Sequence, residues 1–367
     1  MVNEQTMVET ALVAMRSEYD ALVEKGERWS LRALLSTPDR DIEDYCREFR
    51  PNRFGEYALA EVERFCRKHQ IWLESGGAHY NSMTPYLHPN AVTADRMTII
   101  GIFNAILFWL NDTVGREKFA HLSEAERLRA SHTAERLRDM LESRNPAADP
   151  TPEEVATAEF LELLARDAEP DWLERFLRST AEHLRTAIRD QNTDARGGLL
   201  SVADYIDLRS EVSGMYPAIA MCEFGRDEYL PWHLIPAEEA AAELRRLQQL
   251  TAEIGALMND MFSFEKECIA DGADFNLIPV WLLNTPGATL ADAVHGSAAI
   301  VRERLTEFHV LRERVLDRYA GSPDRRAAES VAAHVRDLDG CVQATWAWQI
   351  VTPRYKGVSI FDENHAA

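Results

Sequence analysis

Three oxygen-bearing side chains near position 260 are spaced so that they could hold a metal ion. Asn259, Ser263 and Glu267 lie four and eight residues apart, and an α-helix places such residues on one face. An amide, a hydroxyl and a carboxylate all offer oxygen, the donor that Mg²⁺ prefers. Because the neighbouring residues are mainly apolar, this polar stripe needs partners inside the protein. The pattern predicts a metal site, and a solvated stripe on a helix is the alternative.

A second group of acidic residues follows the most apolar run of the chain, residues 97–110. Asp112 and Glu117 are separated by about 140° around a helix, since each residue turns about 100°. The two carboxylates are not stacked, but both can reach into the mouth of one cavity. Taken alone, the segment is more typical of a buried helix that emerges into solvent.

Two other segments contain groups that bind anions. Ser213 and the glycine and proline that follow it interrupt a predicted helix close to Arg209, and a break of this kind frees backbone carbonyls. The alternative is a kinked packing helix in which Arg209 pairs with a neighbouring carboxylate. Near the end of the chain, Arg354 and Tyr355 supply a guanidinium fork and a phenol, and both groups can donate hydrogen bonds to phosphate oxygens.

The hydrophobic residues recur with a helical period along nearly the whole chain, so helices must position these groups. No convincing run alternates between apolar and polar residues as a strand does. We therefore predict an all-α fold. Helices are expected near 5–24, 38–49, 56–74, 92–118, 123–143, 152–166, 170–192, 199–224, 237–271, 275–283, 288–320 and 324–351. The helical sequence pattern is the same on both sides of the best linker candidate, residues 144–150. We therefore expect one domain over 1–367 with its core at about 60–356. The polar tail, 357–367, is expected to be loosely held.

The composition argues against several classes of protein. With 40 Lys and Arg against 61 Asp and Glu, the formal net charge is −21, which disfavours nucleic-acid binding and docking on an anionic membrane. A bound metal can still make one cleft attractive to an anionic substrate. The five cysteines are scattered without a CxxC pair and no secretory signal is visible, so we expect reduced thiols in a cytoplasmic protein. The run 97–110 is too short to insert across a membrane.

In combination, the four segments resemble the motifs of the class I terpene synthases, particularly the bacterial cyclases. The triad near position 260 matches the NSE metal motif of that family, with Lys266 where a basic residue is often found. Asp112 and Glu117 resemble the first and last residues of the aspartate-rich motif DDxxxE. Thr113 replaces the second Asp of that motif. A rival frame places Asn111 and Asp112 at the two Asp positions, and we prefer the frame that begins at Asp112.

The other two segments resemble further motifs of the same family. Arg209 matches the pyrophosphate sensor, Ser213 matches the effector residue, and Arg354 with Tyr355 matches the C-terminal RY pair. The motifs occur in the family's order, and the resemblance covers residues of about 60–356.

The resemblance implies a single-domain helical bundle with a central active-site cavity. It implies an enzyme that ionises and cyclises a linear prenyl diphosphate and releases diphosphate. The implied cofactor is Mg²⁺, bound as three ions, and Mn²⁺ can replace it. The implied metal ligands are Asp112, Glu117, Asn259, Ser263 and Glu267. The implied diphosphate ligands are Arg209, Lys266, Arg354 and Tyr355. The implied catalytic residues are Asp112, Arg209, Ser213, Arg354 and Tyr355.

The cavity should be apolar and aromatic, because a carbocation must meet no water and is stabilised by aromatic faces. We expect Phe108, Trp109 and Trp348 to line it. Further aromatic candidates are Tyr80, Phe103 and Trp346.

Geranylgeranyl diphosphate is the favoured substrate, and the alternatives are a sesquiterpene cyclase that uses farnesyl diphosphate, a chain-elongating prenyltransferase and a non-catalytic helical scaffold. A homodimer is one assembly to test. Replacing Arg209 or Arg354 with alanine is expected to slow turnover and to leave the fold intact.

Overall fold

In a computed structural model of the chain, residues 4–113, 122–187, 189–235, 238–320 and 324–365 are described. The α-helices, in chain order, are α1 (Glu4–Lys25), α2 (Leu31–Leu35), α3 (Ile42–Cys46), α4 (Gly55–Lys68), α5 (Gly77–Asn81), α6 (Thr84–Leu87), α7 (Ala94–Thr113), α8 (Glu124–Ser143), α9 (Pro152–Asp167), α10 (Pro170–Ala187), α11 (Thr193–Arg196), α12 (Val202–Val212), α13 (Met215–Arg226), α14 (Glu238–Phe264), α15 (Leu277–Leu283), α16 (Leu290–Ala320) and α17 (Arg325–Val351). A π-helix (Glu265–Ala270) continues α14, and 3₁₀ turns occupy Trp232–Leu234 and Pro353–Tyr355. Within these ranges the only β pairing consists of three isolated bridges.

The prediction of an all-α fold is confirmed. Most long helices begin and end within a few residues of their predicted bounds, because a long apolar stripe fixes the helical period. The helix predicted at 38–49 contains only the five residues of α3. The short helices α2, α5, α6 and α11 were not predicted, since a single turn carries too little periodicity to detect. The single-domain organisation over 1–367 stays a prediction.

Two hydrophobic clusters build the interior. One joins α1 and α2 to α12 and α14–α17, and the other joins α4 to α7–α10. Helix α13 contributes to both, with Met215 and Ile219 in the first cluster and Met221 and Phe224 in the second. Helix α7 is apolar along most of its length, yet in the described part of the chain no helix has both the length and the apolar character needed to cross a membrane.

The helix predicted at 199–224 is two helices, α12 and α13, with Ser213 and Gly214 between them. Gly214 has a φ of 80°, a left-handed conformation that glycine adopts without a Cβ clash. The Ser213 hydroxyl donates a hydrogen bond to the carbonyl of Ser210 (2.8 Å) and accepts one from the N–H of Met215 (3.1 Å). Ser213 therefore satisfies backbone groups on both sides of the predicted interruption.

The expectation of a loosely held tail is wrong. Residues 356–365, which we call the C-terminal segment, pack against α1, the start of α2 and the end of α14. Ile360 and Phe361 are fully buried, so two apolar residues anchor a segment whose overall composition is polar. The carboxylate of Glu363 accepts hydrogen bonds from the first two backbone N–H groups of α2 (2.7 and 2.9 Å). This carboxylate caps α2 where the helix has unsatisfied donors.

Candidate active site

A cavity of about 170 Å³ opens among α6, α7, α10, α12, α13, α14 and α17, and residues of both hydrophobic clusters line it. Its apolar lining comes from Met83, Leu87, Leu107, Phe108, Leu110, Leu184, Ala187, Val212, Gly214, Met215, Ala218, Gly255, Ala256, Ala344 and Trp348. Its polar lining comes from Asn104, Asn111, His183, Arg209, Ser213, Asn259, Thr345, Gln349, Arg354 and Tyr355. Residues of three predicted motifs, those containing Arg209, Asn259 and Arg354, therefore face one space.

Asn259 joins these three motifs by hydrogen bonds. Its Oδ1 accepts a hydrogen bond from Nη2 of Arg209 (3.1 Å). Its Nδ2 donates to the hydroxyl of Tyr355 (2.8 Å) and to Oε1 of Gln349 (3.1 Å). Gln349 was missed by the sequence analysis, because a lone glutamine on a long helix gives no signal until its partner across the bundle is known.

A buried ion pair holds the sensor arginine in place. Arg209 and Asp260 are 2% and 0% exposed, and Nε of Arg209 donates to Oδ1 of Asp260 over 2.8 Å. The other carboxylate oxygen accepts hydrogen bonds from the hydroxyl of Tyr205 and from the N–H of Leu277 (3.0 Å). Burial alone would lower the pKa of Arg209, but the charge of Asp260 raises it above the ordinary value. The guanidinium therefore stays charged.

Asp260 is a second residue that the sequence analysis missed. It stands directly after Asn259 in a helix whose neighbouring residues are buried. A carboxylate in such a place requires a cation, and this requirement is the signal that could have identified it. The sequence alone does not show which helix supplies that cation.

The remaining triad residues fit an oxygen-donor metal site. The Ser263 hydroxyl is fully buried, and the described residues include no hydrogen-bond partner for it. Glu267 is buried and lies close enough to Arg209 for its charge to raise the pKa of that residue. The Oδ1 of Asn259 accepts a hydrogen bond from Arg209 and has a second lone pair. Among the described residues, no group of three or more His, Cys, Asp or Glu could hold a metal, so the amide and the hydroxyl are essential to this donor set.

The predicted regular stacking of the triad holds for its first two members only. Asn259 and Ser263 lie in α14, whereas Glu267 lies in the π-helix. The N–H of Asp271 bonds to the carbonyl of Lys266, five residues earlier, over 3.0 Å, so this last turn is wider than an α-turn. The ammonium group of Lys266 lies 4.0 Å from the carboxylate of Asp271, and Lys266 is not among the residues that line the cavity.

The aspartate-rich motif lies at the end of α7. Asn111 lines the cavity, and its Nδ2 donates to Oδ1 of Asp112 over 3.3 Å. Asp112 is half-buried and is absent from the cavity lining. The Thr113 hydroxyl donates to the carbonyl of Trp109 in its own helix, which turns it away from the other motifs as the preferred frame expects. Glu117 lies outside the described residues, and the choice between the two frames stays a prediction.

Tyr80 connects the two ends of the site. Its ring stacks on Phe108 with the centroids 5.4 Å apart, and the guanidinium of Arg354 lies 4.2 Å above the same ring. Burial raises the pKa of Tyr80, and a hydrogen bond to Asp112 raises it further. Tyr80 therefore touches both the first motif and the RY pair, a role that goes beyond the aromatic lining expected from the sequence.

The three aromatic residues predicted to line the cavity lie in two different places. Phe108 and Trp348 line the cavity. Trp109 does not, because one residue turns about 100° on a helix and directs its side chain toward the cluster of α4 and α7–α10. Phe103 stacks on Phe160 in that cluster. Trp346 packs edge-on against Phe262.

Comparisons with known proteins agree with this geometry. A family model described as terpene synthase family 2, C-terminal metal binding, matches residues 102–307. Sesquiterpene synthase 1 of Postia placenta is 26% identical over 202 residues, which are 55% of this chain and 56% of that protein, so the chain spans a little over half of this relative's length. The 7-epi-alpha-eudesmol synthase ((2E,6E)-farnesyl diphosphate cyclizing) of Streptomyces viridochromogenes is 26% identical over 235 residues, 62% of this chain and 67% of that one.

A solved structure shows the same fold. The crystal structure of a-eudesmol synthase superposes with a TM-score of 0.68 at 22% identity, over 83% of this chain and 97% of that chain. The predicted resemblance to class I terpene synthases is confirmed. Since the matched family model spans more than half of the chain, this protein belongs to terpene synthase family 2.

Proposed function

We propose that the protein is a terpene cyclase that ionises farnesyl diphosphate, cyclises the resulting cation and releases diphosphate. The observation that carries the proposal is the hydrogen-bonded group centred on Asn259. It brings the sensor Arg209 and the RY residue Tyr355 to the polar part of an otherwise apolar cavity. That combination suits a substrate with an anionic head and a hydrocarbon tail.

The relatives favour a different substrate from the one favoured by the sequence analysis. One relative is named a sesquiterpene synthase, and another is named for the cyclisation of farnesyl diphosphate. These names support farnesyl diphosphate, the alternative in the sequence analysis, over geranylgeranyl diphosphate. The product is left to experiment.

The donor groups support a divalent metal, and the family model's description includes metal binding. Asp112, Asn259, Ser263 and Glu267 would hold it, and the structural feature that fits best is the buried hydroxyl of Ser263, which has no hydrogen-bond partner among the described residues. Bound Mg²⁺ would act as a Lewis acid that stabilises the charge of the leaving diphosphate. The presence of three ions, the replacement by Mn²⁺ and a role for Glu117 stay predictions.

The chain's own cations supply the rest of the charge. Arg209 is fixed by Asp260 before any substrate binds, so it needs no reorganisation as charge develops on the leaving group. Arg354 and Tyr355 line the same cavity, and the hydroxyl of Tyr355 accepts a hydrogen bond from Nδ2 of Asn259. The guanidinium and the phenol can both donate to diphosphate oxygens. We assign a supporting charge to Lys266, which acts from outside the cavity lining.

The apolar part of the cavity protects the cation. Phe108 and Trp348 present aromatic faces, and the aliphatic residues around them exclude water. The break between α12 and α13 adds Ser213 and Gly214 to the lining. We assign Ser213 to the effector position because it lies at this break beside Arg209.

The test is incubation of the purified chain with farnesyl or geranylgeranyl diphosphate and Mg²⁺, followed by assay of diphosphate and mass analysis of extracted hydrocarbons. We expect a cyclic C15 product from farnesyl diphosphate and no product with excess EDTA. Cyclic product in EDTA would contradict the metal-dependent mechanism. A longer prenyl diphosphate formed with added isopentenyl diphosphate would indicate an elongating prenyltransferase, and no diphosphate release from either substrate would favour the scaffold.

A further inference from the structure

One polar residue of the cavity has no role in the function proposed above. His183 lies near the end of α10 and lines the cavity with Leu184 and Ala187. Its ring lies beside the break between α12 and α13, with Nε2 4.0 Å from the position that a Cβ on Gly214 would occupy. Glycine at this position leaves room for the imidazole next to the break.

The hydrogen bond of the imidazole defines its tautomer. Nδ1 of His183 lies 3.0 Å from the backbone carbonyl oxygen of Glu211. A carbonyl can only accept, so in the neutral ring the proton is on Nδ1 and the lone pair is on Nε2. Within the described part of the chain, the bond to Glu211 is the only hydrogen bond of this ring. The ring therefore holds an unprotonated nitrogen in the wall of the cavity.

The same side chain also lines an outer cleft on the far side of this wall. The cleft is bordered by four carboxylic side chains, and burial raises the pKa of the last of them to about 7. These residues are Glu182, Asp207, Glu211 and Glu223. A proton that reaches the imidazole from the cavity thus has an acidic cleft through which it can return to solvent.

The imidazole is suited to remain neutral until it accepts a proton. Burial lowers the pKa of His183 below its ordinary value of 6.5, and the bond to Glu211 only partly opposes that shift. Of the described residues that line the cavity, the others carry amides, hydroxyls, permanently charged guanidinium groups, thioethers, an indole or hydrocarbon side chains, or are glycines. His183 is the only neutral nitrogen base in that set.

We propose that His183 is the base that ends the cyclisation. Nε2 takes a proton from a carbon adjacent to the cationic centre, and the electron pair of that C–H bond becomes the new C=C double bond. The imidazolium then passes its extra proton to water through the outer cleft. This inference rests on the proposed function, and the alternative proton acceptor is the released diphosphate.

The test compares the wild type with His183→Gln, because glutamine can still donate to the carbonyl of Glu211 but has no basic nitrogen. Thr345→Val is the control, since it changes another polar residue of the lining without removing a base. Each protein is incubated with farnesyl diphosphate and Mg²⁺ from about pH 4.5 to 8, because burial lowers the pKa of His183 below the range in which imidazole ordinarily changes charge. Diphosphate release and the composition of the extracted products are measured separately.

We expect His183→Gln to continue to ionise the substrate and to release diphosphate, because ionisation does not use the base. Its product composition should be independent of pH and should match the composition that the wild type gives at the acid end. The wild type and Thr345→Val should both change composition as His183 becomes protonated. The charged and titratable groups that line the cavity or the cleft together with this ring are Arg209, Arg354, Tyr355, Glu182, Asp207, Glu211, Tyr216 and Glu223.

If His183→Gln gives the wild-type composition at every pH, the inference is overturned and diphosphate is the better acceptor. If the glutamine variant fails to fold by circular dichroism, the wild-type profile decides, because a composition that is constant with pH also overturns the inference. Absence of diphosphate release from the wild type would instead overturn the proposed function. The two failures are therefore distinguishable.

Discussion

The two walls that carry the polar motifs are built in different ways. In the triad wall, made of α12 and α14, Arg209 and Asp260 are buried and linked to Asn259 and Tyr205 by hydrogen bonds. In the aspartate wall, made of α5 and the end of α7, Asp112 is half-buried at a helix terminus. A network that is complete inside the protein supports both folding and catalysis. The half-buried group of the aspartate wall can be changed with less effect on folding.

The first prediction tests the aspartate wall and has the largest expected effect. Asp112→Ala should reduce turnover by about 10³-fold or more, because it removes a carboxylate from the metal and diphosphate site. Its free energy of unfolding should change by less than about 1 kcal/mol, since the side chain is half-buried. Steady-state rates and urea unfolding measure the two effects.

Asn111→Ala and Thr113→Ala are the matched controls for that variant. Thr113→Ala should keep most of the activity, because its hydroxyl bonds within its own helix. Asn111→Ala should lose activity only through packing and the bond to Asp112. An inactive Asn111→Ala beside a nearly normal Asp112→Ala would support the rival frame, in which Asn111 is the first ligand.

The second prediction compares the two arginines that we propose bind the diphosphate group. Arg209→Ala and Arg354→Ala should each slow turnover by about 30-fold to 10³-fold, equivalent to ~2–4 kcal/mol for a lost charge-assisted contact. Arg209→Ala should also lower the free energy of unfolding by about 3–5 kcal/mol, because it leaves Asp260 charged and buried. Arg354→Ala removes stacking on Tyr80 and should cost under about 1 kcal/mol.

This result would correct the expectation that both arginine variants keep the fold intact. The double variant Arg209→Ala with Asp260→Ala should recover part of the lost stability but none of the turnover, since no stranded carboxylate remains. Equal unfolding free energies for the two single variants would show that the triad wall does not couple stability to catalysis.

The third prediction concerns the outer side of the triad wall and has the smallest effect. Glu265 accepts hydrogen bonds from the hydroxyl of Ser359 (2.6 Å) and the N–H of Ile360 (3.1 Å) in the C-terminal segment. Its Oε2 is buried, with no partner among the described residues. Burial raises the pKa of Glu265 to about 7 from 4.5. The folded protein thus retains this proton at a pH where the unfolded chain has lost it.

Because the folded-state pKa is the higher one, the contribution of Glu265 to stability is fully present below about pH 4.5 and is lost as pH rises through about 7. The loss is at most about 1.4 kcal/mol for each pH unit in that range. Glu265→Gln keeps the acceptor oxygen and should remove this dependence. Urea unfolding from pH 5 to 8 should show a difference from wild type that grows with pH. A difference that stays constant from pH 5 to 8 would contradict the prediction.

The parts of the site that could be predicted are those whose residues lie on a single helix. The spacing of Asn259 and Ser263 is readable because α14 is regular at those positions. The partnership of Arg209 with Asp260 was not predictable, because it depends on how α12 and α14 face each other. Tyr80 and Arg354 meet through two elements of five and three residues, and elements that short leave almost no periodic signal.

Errors elsewhere have equally specific causes. Trp109 was expected in the cavity because the apolar run offers no polar face from which to orient α7. The C-terminal segment was expected to be loose because two buried apolar residues are diluted by polar neighbours. The tautomer of His183 depends on a backbone carbonyl of another helix, which no side-chain pattern reveals.

The contacts of the C-terminal segment also constrain the order in which the chain can fold. The carboxylate of Glu363 and the backbone donors of α2 are separated by 331 and 332 residues. At synthesis rates of about 5–20 residues per second, the earlier partner waits for tens of seconds or longer before the later one leaves the ribosome. Arg354 and Tyr355 are made only shortly before that carboxylate. During synthesis, the helices of the bundle can therefore assemble while the anion-binding end of the cavity is still incomplete.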